Sequence, residues 1–188
     1  MFLRNLWELL RVNSQDYFYG STTEPYGAAA TIKALDGTAF TTLCNSHFTN
    51  YSTNTTYQTA VRALLNPFYG FTGRVGTGVT PADADDYQLE TDVTSSFSST
   101  SSAINYSTNS EGHFVMTLTW SGTNTSGSDI TITEIGVVKQ MGDRTNTSST
   151  AGTNLTLRTV LVARHILTTP VEVAAGEGTS ITIQIELY

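Results

Sequence analysis

The final ten residues of the chain, Thr-Ser-Ile-Thr-Ile-Gln-Ile-Glu-Leu-Tyr at 179–188, alternate polar and apolar without a break, placing Ile181, Ile183, Ile185 and Leu187 on one face. A period of two is the signature of a pleated strand with one face buried, and a helix, whose faces return every 3.6 residues, cannot use it. The pattern recurs at 113–120, where Phe114, Met116, Leu118 and Trp120 align before the turn-rich stretch Ser-Gly-Thr-Asn-Thr-Ser-Gly-Ser at 121–128. Strand, polar loop, strand is the simplest parsing. At 129–138 the apolar positions are even-numbered through Ile132 and odd-numbered at Ile135 and Val137. A parity change beside a glycine predicts a β-bulge near residues 134–136. Residues 155–164 lose strict alternation midway, as expected for a strand covered on both faces.

Upstream, residues 28–33 and 38–43 flank Asp36-Gly37 and read as a hairpin with the favoured Asp-Gly turn. Residues 57–65 suit a short helix ended at Asn66-Pro67, because a residue before proline avoids the helical region. Residues 71–75 form a short strand, and 95–110, almost all hydroxyl and amide, an exposed strand or long hairpin. At the N-terminus, Leu3, Leu6, Trp7 and Leu10 follow helical spacing, and Phe2 widens the stripe. So short a helix needs a surface to lie on. That surface is either the chain's own β core or a neighbouring chain, making residues 1–20 a docking arm. Arg4, Glu8 and Arg11 interrupt the stretch before a signal-peptide core can form, and it is too short to span a membrane. Residues 21–188 make one domain. The expected fold is all-β, an antiparallel β-sandwich of Greek-key or jelly-roll type with a short helical or extended N-terminal arm.

Polarity here comes from hydroxyls and amides, since 34 threonines, 18 serines and 11 asparagines fill about a third of the 188 residues while only 13% are charged. Threonine is both β-branched and polar, so this bias keeps strand surfaces wet without charge, a composition compatible with dense packing among copies. A net charge of −7, with 9 scattered Lys and Arg, argues against direct nucleic-acid binding, which needs a basic stripe. Cys44 is single, so no disulfide framework exists within one chain.

A search for chemistry returns little. His47, His113 and His165 lie in separate segments, and Cys44 with His47 supplies two ligands where structural zinc wants four. Asp83, Asp85 and Asp86 are calcium-type oxygens without the EF-hand spacing, and a solvated acidic loop explains them better. No metal or cofactor is implied. Gly73-Arg74-Val75-Gly76-Thr77-Gly78 lacks the order of a phosphate cradle and suits a tight turn. No Gly-x-Ser-x-Gly elbow is present, and no catalytic residue is assigned. Six Asn-x-Ser/Thr sequons occur, at Asn50, Asn54, Asn105, Asn124, Asn146 and Asn154, but nothing supports a secretory route.

Residues 73–81, Gly-Arg-Val-Gly-Thr-Gly-Val-Thr-Pro, followed by Asp85-Asp86-Tyr87-Gln88-Leu89-Glu90, resemble a recurring segment of tailed-bacteriophage structural proteins. There a Gly-Thr-Gly turn precedes a Thr-Pro loop and an acidic residue just before Leu-Glu. Ile132-Thr133-Glu134-Ile135-Gly136-Val137, Leu161-Val162-Ala163-Arg164, Pro170-Val171-Glu172-Val173 and the strand at 178–187 resemble later elements in the same order. The resemblance covers about residues 70–188. It implies a β-rich virion protein, located in the particle, that self-associates as a homo-oligomer and docks on other virion proteins at the head surface, neck or tail, without catalysis, cofactor or membrane.

Within that reading Phe2, Leu3, Leu6, Trp7 and Leu10 are the partner-docking residues, and Arg74, Glu134 and Arg164 are candidates for a structural ion pair. A strand arginine paired to an inward Glu134 would fix register, because a lone buried charge is costly. Two exposed rim arginines are the alternative. The rival function is a carbohydrate- or receptor-binding module of a tail or fibre, for which Trp120, Tyr106 and Tyr51 are the stacking candidates. A glycan depolymerase is more distant and would need two carboxylates facing each other in one cleft.

Overall fold

A computed structural model describes residues 4–5, 29–43, 71–143 and 156–187. The fold is all-β with antiparallel pairing throughout. Strands β1 (Ala29–Lys33) and β2 (Ala39–Leu43) form a hairpin; β3 (Phe71–Gly76), β6 (Ile130–Asp143) and β7 (Thr156–Val173) form one sheet in the order β3-β6-β7. The second sheet has the order β4-β5-β8, from β4 (Phe97–Thr108), β5 (Phe114–Asn124) and β8 (Gly178–Leu187). The β4–β5 and β6–β7 connections stay within a sheet, and the β3–β4, β5–β6 and β7–β8 connections cross between sheets.

The inward faces of both sheets share one core, which makes the domain a sandwich. Met116, Leu118, Trp120, Ile181 and Ile183 from one sheet meet Val75, Ile132, Ile135, Val137, Val160 and Val162 from the other. The alternation legible at β5 and β8 is therefore what the two sheets bury. Ile32 and Phe40, cross-strand partners on the β1–β2 hairpin, join the same core. That hairpin turns through Ala34–Gly37, with Gly37 N–H donating to the Ala34 carbonyl at 2.9 Å and Gly37 at φ 82°. Asp36 accepts from Thr38 N–H at 2.9 Å, so Asp-Gly sits inside a longer turn instead of forming a two-residue one.

The parity change in β6 has a physical origin in its partner. Ile132 pairs with Val171 but Glu134 pairs with Ile166, so Leu167, Thr168, Thr169 and Pro170 of β7 are opposed only by Thr133. The expected irregularity occurs at this place, but the extra residues belong to β7 and include a proline that cannot donate to the ladder. Beyond it β6 changes which parity faces the core. Ile135 and Val137 point inward while Glu134, Gly136 and Val138 lie on the outer face, where Val138 packs with Leu89 and Leu161. A second shift, between Val137 and Val138, inserts Val162 into β7 and lets both Val162 and Ala163 reach the inner core.

Of the N-terminal segment only Arg4 and Asn5 are described, both helical. Asn5 is buried, with Nδ2 donating to the carbonyls of Lys33 (2.9 Å) and Leu161 (3.0 Å), and Oδ1 accepting from Lys33 N–H (3.2 Å). It joins the end of β1 to the outer edge of β7. Phe2, Leu3, Leu6, Trp7 and Leu10, the helix expected at 57–65, Cys44, His47 and Tyr51 lie outside the described residues. No helix among the described residues is long and apolar enough to cross a membrane.

Candidate functional site

Residues 77–92 run from the end of β3 across the outer face of the β3-β6-β7 sheet and return beside the β3 edge. Thr77 N–H donates to the Thr91 carbonyl (2.9 Å) and Val93 N–H to the Val75 carbonyl (3.0 Å). Under this strap lies Glu134, wholly buried. Its Oε1 accepts from the backbone N–H groups of Gly78 (3.1 Å) and Thr91 (3.0 Å), and its Oε2 from Glu90 N–H (3.3 Å) and Arg164 Nε (2.7 Å). Four donors on one carboxylate make it a fully satisfied buried anion.

The glycines explain themselves against this carboxylate. A Cβ at Gly76 would meet Glu134 Oε1 and the Thr91 carbonyl at under 3 Å, and one at Gly78 would strike Glu134 and Glu90. A Cβ at Gly136 would press into Leu161 and Leu89 at 2.8 Å each. The Gly-Thr-Gly stretch thus cradles an anion, and the anion is the chain's own side chain. Thr133 Oγ1 closes the arrangement by donating to the Gly78 carbonyl at 2.7 Å.

Arg164, 3% exposed, is the cation at the centre. Besides Glu134 it donates from Nη1 to Asp86 Oδ2 at 2.7 Å, and its Nη2 lies 3.5 Å from Glu90 Oε2. Glu90 in turn accepts from Val79 N–H, Thr80 N–H and Thr80 Oγ1, each at 2.8 Å. Those hydrogen bonds, Thr80's first, hold the Glu90 carboxyl below its ordinary value. Asp86 accepts from Asp83 N–H at 2.9 Å. One arginine therefore gathers carboxylates from β6 and from two points of the strap.

Of the three ion-pair candidates, the structure brings Glu134 and Arg164 together and sends Arg74 elsewhere. Arg74 pairs with Asp92 at 2.6 Å near the surface. Burial opposes ionisation of Asp92, but hydrogen bonds from Thr94 and the Arg74 guanidinium outweigh it and its carboxyl is held low. Sequence reasoning did not name Asp86, Glu90 or Asp92 as partners. Nor did it find Lys139, 1% exposed in β6 with Nζ 5.4 Å from the Phe71 ring centre, whose pKa burial lowers to about 8.

The aromatic candidates part company. Trp120 is wholly buried, edge-to-face with Phe97 at 5.2 Å and pressed against Gly73 and Gly122, so its ring offers no stacking face. Tyr106 is 41% exposed. A groove of about 440 Å³ runs beside the β3 edge, lined mainly by hydroxyls with Arg74, Gln140, Val138 and the buried Trp120, and it holds no carboxylate pair. The sequon residue Asn124 is fully buried and spends its amide on the carbonyls of Ser128, Val173 and Ala174, which excludes it as a glycan acceptor in the folded chain. Among the described residues no three His, Cys, Asp or Glu side chains form a ligand set for a metal.

Compared with protein-family models, curated proteins and solved structures, the chain matches none.

Proposed function

We propose that the chain is a non-catalytic structural protein of a tailed-bacteriophage virion, self-associating and docking on other virion proteins at the head surface, neck or tail. One observation carries the reading. The residues through which the sequence resembles such proteins, Gly76, Gly78, Glu90, Glu134, Gly136 and Arg164, converge from three separated segments into one closed network. In this chain those residues form a device that locks a strap onto a sheet. Its carboxylates are occupied by internal donors, which leaves no poised acid, base or nucleophile in the network. The segment containing Phe2, Leu3, Leu6, Trp7 and Leu10 serves as the docking arm in this reading, and particle incorporation after deletion of residues 1–12 checks it.

A receptor- or carbohydrate-binding module of a tail or fibre is the second reading, favoured by the hydroxyl-lined groove and opposed by the burial of Trp120. Density-gradient sedimentation of particles from the source culture, probed with an antibody to the chain, separates the two from a non-virion protein. Co-sedimentation that survives high salt is expected. A chain remaining wholly at the top of the gradient would overturn the virion reading. A chain on the particles that also binds neutral glycans through the groove would move the second reading ahead.

A further inference from the structure

The three strands of the β4-β5-β8 sheet contain one charged residue, Glu186, near the end of β8, although the chain carries 25 charges in all. Its outward face is mainly hydroxyls and amides in register, with Ala103 and Val115 among them and Glu186 at one end. Asn105 stands opposite Thr117, Thr119 opposite Thr182, and Ser121 opposite Ser180. The last two pairs hydrogen-bond across the strands at 3.0 Å each. The β3-β6-β7 sheet, by contrast, carries Arg74, Glu134, Lys139, Arg158, Arg164 and Glu172.

We infer that this nearly uncharged face is where a second copy of the chain docks, an inference that rests on the self-association in the proposed function and names its surface. Three properties point to a copy as the occupant. A hydroxyl or side-chain amide both donates and accepts, so an array of them complements itself, as a two-fold contact between identical faces requires. Copies with a net charge of −7 repel, and on this face Glu186, at one end, is the one charge two copies would bring together. Its outward positions hold no aromatic ring, so it lacks the stacking platform that a glycan would use. The edge strand β4 extends the face over 12 residues without Lys or Pro, and beyond the register shift at 98–101 it pairs with β5 without a break from Ser101 to Thr108.

Three strands about 4.8 Å apart and about ten residues long give a footprint of roughly 500 Å² per copy. That is about 1,000 Å² in total, the low end for a specific interface, so association is measured at high concentration. Sedimentation velocity of the full chain from micromolar to millimolar concentration should show concentration-dependent dimer. Thr119→Glu, which puts a carboxylate at the centre of both faces, should abolish it. Thr119→Ser on the same face and Thr72→Glu on the other sheet should leave it intact, all with unchanged melting. A wild-type chain that stays monomeric throughout, or a Thr119→Glu chain that dimerises as well as wild type, overturns the inference. Particle sedimentation is read separately: dimers in solution with no chain on particles would remove the virion reading and keep the face.

Discussion

Glu134 and Arg164 show how one buried pair can be worth keeping. Removing a partner from a buried ion pair costs about 3–5 kcal/mol, because the remaining charge and its donors are left uncompensated. Glu134→Ala strips Arg164 of its one fully buried carboxylate and orphans three backbone N–H groups, so equilibrium unfolding should show a loss of about that size. Arg74→Ala should cost under about 1 kcal/mol, since its pair with Asp92 is partly solvated. Gly78→Ala tests the cradle from the other side and should destabilise by about 1–3 kcal/mol through overpacking against Glu134 and Glu90. That one of two strand arginines would meet Glu134 was legible from charge inside apolar runs. Which one was not, because strand periodicity fixes a face and leaves inter-strand register open.

At the scale of elements, β5 and β8 were legible because each buries one face and exposes the other. The change in β6 was legible as a change of parity, but its counterpart was hidden in β7, where four residues, 167–170, oppose one and leave no periodic signature. Lys139 escaped notice because a lysine closing an apolar run ordinarily leads its head group out to water. Its folded pKa of about 8 lies below the ordinary 10.5, so the folded chain binds fewer protons than the unfolded one between those values. Stability should therefore rise as pH climbs from about 8 to 10.5, and Lys139→Met should flatten that rise in melting temperature relative to wild type. The strap at 77–92 shifts stability in the same direction, at the acid end. Glu90 and Asp92 are held below their ordinary values of 4.5 and 3.8, so their contribution is present above those values and lost as pH falls through the lowered ones. Melting temperature should begin to drop below about pH 4.5, and hydrogen exchange at 77–92 should quicken with it.

The whole molecule divides its labour between its sheets. One carries the charges, the strap and the Asn5 clasp on β7; the other is a nearly charge-free hydroxyl face. The all-β class and the sandwich could be read from alternation and turns. The strap could not, since neither the glycine turn nor the run of acids at 83–86 shows that Asp86 and Glu90 reach Arg164. The first sheet holds the internal lock, and the second is the face proposed above for a second copy. The most direct measurement is quantitative mass spectrometry of purified particles, giving copies of this chain per major capsid subunit. A fixed ratio is expected, near one for a head-surface protein or a small constant fraction for a neck or tail component. Absence of the chain from particles would contradict the proposed place in the virion.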